Sequence, residues 1–197
     1  MAMASSNRWF SGLGLPLVAA LATGACGGAQ QPETTVAEVK PPRIRYGNLS
    51  SSAYRAETFD LNNDGRADQT RYTDGSGRVA WVARDIDFDG RVDFFEHYDA
   101  SGAVVEQELQ LDFDDAIDLV RVFDQGRLVR KEFMTGFSST ASMFKYYDSA
   151  GNVLRVERDT DDDGRVDFFG YYEGGQLTRV GIDLDRDGRP DDIESYD

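Results

Sequence analysis

The sequence predicts an all-β domain, an antiparallel meander of tandem β-hairpin repeats. Three observations predict it: a repeat of 24 to 25 residues, an aromatic or β-branched column before each turn, and glycines that punctuate alternating segments. The residues that close successive stretches of the repeat are Asp68, Asp93, Asp118, Ser142, Asp167 and Asp191, spaced by 25, 25, 24, 25 and 24. Five residues after each stand Thr73, Tyr98, Phe123, Tyr147, Tyr172 and Tyr196, and the residue after that is acidic in every unit.

Glycine follows in the first five units, at Gly77, Gly102, Gly126, Gly151 and Gly175. The longer turns predict three-residue loops ending in a left-handed glycine, whereas Gln125-Gly126 and Gly174-Gly175 suit two-residue primed turns. Counting outward from either kind pairs the same columns: Thr73 with Val79, Tyr98 with Val104, Phe123 with Leu128, Tyr147 with Val153 and Tyr172 with Leu177. Strict alternation from those pairs gives one apolar face, with Phe95, Val105, Leu109, Val120, Val122, Val129, Phe133, Phe144, Tyr146, Leu154, Val156, Phe169, Tyr171, Val180 and Ile182. It sends Glu96, Glu106, Arg121, Arg130, Lys145, Arg155, Glu157 and Arg179 to the other. So long an apolar face needs cover, and the meander is expected to curl into a barrel-like or sandwich-like body.

Composition narrows the function. A formal net charge of −15 repels phosphate backbones, which argues against a nucleic-acid partner. Only one cysteine, Cys26, and one histidine, His97, are present, so disulfide frameworks and Cys/His zinc sites are excluded. Arg8 precedes an uncharged, mostly apolar run from Trp9 to Ala22, which is short for a membrane span. Small residues then lead to Cys26 in Leu21-Ala22-Thr23-Gly24-Ala25-Cys26-Gly27.

This stretch resembles the lipobox of bacterial lipoproteins, which implies a signal peptide over 1–25 and lipidation of Cys26. Residues 26–42 then read as a lipidated tether, rich in Gly, Gln, Pro and Thr, and 43–197 as the repeat domain. The partner implied at this end is a membrane, reached through the lipid. Gly27 after the cysteine favours the outer membrane of a bacterial envelope that has one, on its periplasmic or surface-facing side.

The opposite turns carry the chemistry. They are Asp60-Leu-Asn62-Asn-Asp64-Gly-Arg66-Ala-Asp68, Asp85-Ile-Asp87-Phe-Asp89-Gly-Arg91-Val-Asp93, Asp159-Thr-Asp161-Asp-Asp163-Gly-Arg165-Val-Asp167 and Asp183-Leu-Asp185-Arg-Asp187-Gly-Arg189-Pro-Asp191. Alternate acids on a tight turn suit a hard cation that takes about six to eight oxygen ligands. The loops resemble the first nine positions of an EF-hand calcium loop, which implies oxygens at positions one, three, five and nine, and a backbone carbonyl at seven, here Arg66, Arg91, Arg165 and Arg189. The implied cofactor is Ca²⁺. Position twelve falls on Arg71, Glu96, Gly170 and Glu194, and a strand exit would turn Glu96 and Glu194 away from the ion, so hairpins are expected rather than paired helices. Similar loops occur in FG-GAP repeats and thrombospondin type 3 repeats, and the Tyr-Asp-x-x-Gly-x-Val units look like bacterial MORN-like or YD-type hairpins. The copies at 110–118 and 134–142 have lost the pattern.

His97 lies between Phe95 and Asp99 with no nucleophile in a repeat-specific setting near it, and reads as structural. The carboxylate spacing is that of metal ligands, not of a glycosidase pair. The expectation is therefore a non-enzymatic, calcium-binding, lipid-anchored bacterial envelope protein with a structural or interaction role. The other reading is a protein-recognition β-repeat module with a protein partner on its Tyr- and Arg-bearing face, in which metal is incidental.

Overall fold

The computed structural model describes residues 53–112, 116–134 and 140–196. The chain divides into units 1–35 and 36–197, and every described residue belongs to the second. The assignments made for 1–25, Cys26 and 26–42 lie outside the described residues.

Twelve strands follow one another: β1 (Arg55–Phe59), β2 (Gln69–Thr73), β3 (Val79–Arg84), β4 (Phe94–Tyr98), β5 (Val104–Leu109), β6 (Leu119–Asp124), β7 (Arg127–Met134), β8 (Ala141–Tyr147), β9 (Val153–Arg158), β10 (Phe168–Glu173), β11 (Gln176–Ile182) and β12 (Asp192–Ser195). They form one antiparallel sheet in sequence order, the expected meander. Barrel closure is corrected: β1 pairs with β2 and β12 with β11, and among the described residues no hydrogen-bonded seam joins the first strand to the last.

The turn chemistry is realised as read. Gly77, Gly102 and Gly151 take φ of 83°, 84° and 87°, each ending a three-residue loop in which its N–H donates back to the carbonyl of Asp74, Asp99 or Asp148. Gln125-Gly126 and Gly174-Gly175 have positive φ at both positions, as a type I′ turn requires. All five column pairs stand in register, from Thr73 with Val79 to Tyr172 with Leu177.

One step beyond each column pair the register shifts, because the return strand holds an extra residue: Ala80, Val105, Val129, Leu154 or Thr178. This β-bulge corrects the face assignment. Beyond it, strict alternation on the return strands is inverted, so Phe95 faces Glu108 instead of Leu109, and Phe169 faces Glu157 and Gly181. Leu109, Phe133, Val156, Val180 and Ile182 therefore lie on the side opposite Phe95. Glu106, Arg130, Arg155, Glu157 and Arg179 lie on its own side.

The apolar centre is Trp81, Ala83 and Phe95, with Tyr54, Tyr72, Ala80 and Val92 packed against it. Trp81 stacks on Phe95 at 4.7 Å and on His97 at 3.9 Å between ring centroids. Burial holds the His97 imidazole below its ordinary pKa, against the opposing pull of Asp99. Farther along this face, apolar and glutamate side chains alternate across the strands as Phe95, Glu108, Val120, Glu132, Phe144, Glu157 and Phe169. Glu132 and Glu157 each meet an arginine of their own strand, Arg130 or Arg155, at 2.9 Å. Tyr146 donates to Glu157 at 2.9 Å, and burial with that carboxylate pushes its phenol well above the usual range.

Candidate metal centre

All four acidic loops lie on one edge of the sheet, between β1 and β2, β3 and β4, β9 and β10, and β11 and β12. The strand ladder continues into them: the N–H of Asp85 donates to the carbonyl of Asp68 at 2.8 Å, and that of Asp183 to Asp167 at 3.0 Å. Successive loops are thus seated against one another by main-chain bonds.

Each loop is wound around its own carboxylates. The first aspartate accepts from main-chain N–H groups at the fourth to sixth positions; Asp85 takes Phe88 at 2.7 Å, Asp89 at 3.2 Å and Gly90 at 2.7 Å. Asp60 does the same for Asn63, Asp64 and Gly65, Asp159 for Asp163 and Gly164, and Asp183 for Arg186 and Gly188. The ninth aspartate caps the loop from the other side: Asp68 takes Leu61 and Asn62, Asp93 takes Ile86 and Asp87, Asp167 takes Thr160, and Asp191 takes Leu184 and Asp185. This winding needs a left-handed backbone at the fourth position, where Asn63, Phe88, Asp162 and Arg186 have φ of 58° to 67°, and at the sixth, always glycine.

The result is convergence. Carboxylate oxygens of Asp85, Asp87 and Asp93, of Asp159, Asp161 and Asp167, and of Asp183, Asp185 and Asp191 lie within 4.8 Å of one another in each loop. These are positions one, three and nine, and the clusters could hold a metal ion. The donors are all hard oxygens, and the second oxygen of Asp87 makes no hydrogen bond among the described residues, so the set fits such an ion. Partial desolvation, with the acidic neighbours Asp89, Asp93 and Asp85, raises the pKa of Asp87 from its ordinary value.

Loop 60–68 has the same winding but an amide at position three, where Asn62 donates to Asp64 at 3.1 Å. The fifth-position acids Asp64, Asp89, Asp163 and Asp187 lie outside the convergent sets and accept the N–H of Arg66, Arg91, Arg165 and Arg189 at 2.8 to 2.9 Å. Those four arginine side chains are exposed. Position twelve turns away from the loops: Glu96 is held by Tyr98, Gln107 and Arg84, and Glu194 accepts from Tyr196.

One participant was not legible as a site residue. Arg186, at the fourth position of the last loop, reaches back to Asp161 at 3.0 Å and Asp163 at 3.1 Å in the neighbouring acidic loop. Its place at the same repeat position as Asp162 was the available signal. In the lapsed loop 110–118, Asp118 still caps the N–H of Leu111.

No family model and no curated protein sequence matches this chain. Among solved structures it is similar to a chain of accessory secretory proteins 1, 2 and 3 of Streptococcus pneumoniae at 10% identity, covering 53% of this chain and 19% of that one, with a TM-score of 0.40. It is similar to a chain of the GtfA/B complex at 21% identity, covering 59% and 19%, with a TM-score of 0.36. TarM is similar at 12% identity, covering 62% and 20%, with a TM-score of 0.37. The chain thus spans about a fifth of the length of these structures.

The expectation that the protein is not an enzyme does not stand beside these neighbours, which include a GtfA/B complex bound to UDP and GlcNAc. That His97 has no nucleophile in a repeat-specific setting near it does not exclude an enzyme. At these scores no activity or substrate is carried across to this chain.

Proposed function

We propose that the acidic rim binds calcium ions that clamp neighbouring loops of the sheet, in a chain held to a bacterial envelope by lipid on Cys26. The carrying observation is the convergence of three carboxylates within 4.8 Å in each of three loops. Calcium suits them because it accepts about six to eight oxygens in flexible geometry, whereas magnesium demands a near-ideal octahedron. Lipidation is supported by the uncharged run before the small residues that precede Cys26. The outer membrane is the favoured address.

Calorimetry of the chelator-treated chain tests the cation reading, with three tight equivalents expected, one per convergent loop. No heat of uptake at millimolar calcium would refute it. Incorporation of a labelled fatty acid, abolished by Cys26→Ser, tests the anchor separately. A protein-recognition role has its own support in apolar side chains left in solvent on the same rim, where Leu61, Ile86 and Leu184 are 61%, 58% and 71% exposed.

A further inference from the structure

On the side of the sheet away from Trp81 and Phe95, three cations stand in one row. Arg121 of β6 is directly opposite Lys131 of β7, and Lys131 is opposite Lys145 of β8. Like charges placed so are destabilising. In a chain with 36 acids against 21 bases, such a row has ample choice of carboxylates, yet none of the three makes an ion pair among the described residues. The row continues into Gln107 on one side and Val156 on the other, and Gln107 gives its amide to Glu96 at 2.6 Å.

The contrast with the opposite side is informative. There Arg130 and Arg155 each hold a glutamate at 2.9 Å. The three cations are half-buried, and the Arg121 Nε, like those of Arg130 and Arg155, is shut off from solvent without a hydrogen bond, but unlike them it faces no carboxylate within ion-pair distance among the described residues. Lys131 lies 5.7 Å from the Tyr147 ring and Lys145 5.4 Å from that of Phe133, which keeps both ammonium groups over aromatic surface without neutralising them. Leu119, Phe133 and Met143 form an apolar row beside them. The cationic row crosses three strands, a span of about 10 Å.

We propose that Arg121, Lys131 and Lys145 form a binding row for a multivalent oxyanion of phosphate type, extended enough to meet all three strands. A guanidinium fork and two compact ammonium charges are the groups that recognise such oxygens. This reading is independent of calcium at the rim.

Calorimetry of the full chain with tripolyphosphate, in chelator to remove any metal-bridged route, tests it. Saturable binding is expected, weakened by about tenfold or more in Lys131→Gln and Arg121→Gln and unchanged in the turn variant Arg127→Gln. Without ligand, Lys131→Gln is expected to melt no lower than the parent at low salt, because repulsion in the row is relieved, so that its weaker binding is not a loss of fold. No saturable heat at millimolar tripolyphosphate overturns the proposal, as does equal affinity in Lys131→Gln and the parent.

Discussion

Replacing Arg186 by alanine is expected to tighten divalent-cation binding at loop 159–167 and leave loop 85–93 unchanged. The guanidinium holds Asp161 at 3.0 Å and Asp163 at 3.1 Å, and Asp161 belongs to the convergent set. Arg186 is 59% exposed, against 47% for Asp161 and 28% for Asp163, so these are surface pairs. Each is worth at most about 1 kcal/mol. A cation that takes Asp161 must release that pair, and losing about 0.4 to 1 kcal/mol weakens the apparent affinity about 2- to 5-fold. Alanine returns that factor.

The assay is calcium titration followed at single amides. Gly164, whose N–H donates to Asp159 at 2.7 Å, reports the affected loop, and Gly90, bonded to Asp85 at 2.7 Å, is the internal reference. Arg189→Ala serves as control, because it removes the same charge from the same loop without a contact to Asp161. Unchanged or weaker binding at Gly164 in Arg186→Ala would refute the competition. So would equal tightening by Arg189→Ala, which would assign the effect to net charge alone. Added salt should shrink the difference.

Three further outcomes are expected. Trp81→Ala removes a side chain only 2% exposed and stacked on two rings, and should cost about 3 to 5 kcal/mol in urea unfolding; a loss under about 1 kcal/mol would show that the Trp81 cluster is not the core. Gly164→Ala places a Cβ with nothing within 4 Å but at φ +87°, so its cost is conformational, about 1 to 2 kcal/mol, and an unchanged urea midpoint would contradict the loop backbone. His97 has its pKa lowered by burial, so its contribution is fully present above the unfolded value of 6.5 and is lost as pH falls through the lower folded value. Urea midpoints of the parent should therefore fall between neutrality and about pH 5 more steeply than those of His97→Gln; parallel curves would contradict it.

The sequence was most informative where local chemistry decides structure. Asp-x-x-Gly and Gly-Gly dictate their turns, and the column pairs such as Tyr98 with Val104 follow from turn length alone. It was least informative one residue farther on. Nothing in Val104-Val105-Glu106 announces that Val105 is passed over by the pairing, because a bulge is a property of two strands together. Glu157, assigned to the side away from Phe169, stands opposite it for the same reason. In the loops, the spacing of aspartates included positions one, three and nine, which converge in three of them, and also position five, which does not join them. The left-handed fourth residue did not show, since Asn63, Phe88, Asp162 and Arg186 share no chemistry. Arg186 was hidden because its contact crosses to another repeat.

The extra residue in each return strand has a reach beyond its own hairpin. It acts as a phase counter: because Val129 is passed over, Arg130 stands beside Glu132 and Lys131 in the cationic row, and taking Val129 into the pairing would make the two trade sides. The character of each surface is therefore encoded in how many residues a strand contains as much as in which ones. Losing or gaining one paired residue in such a ribbon would do to the stretch beyond it what several charge reversals together do elsewhere.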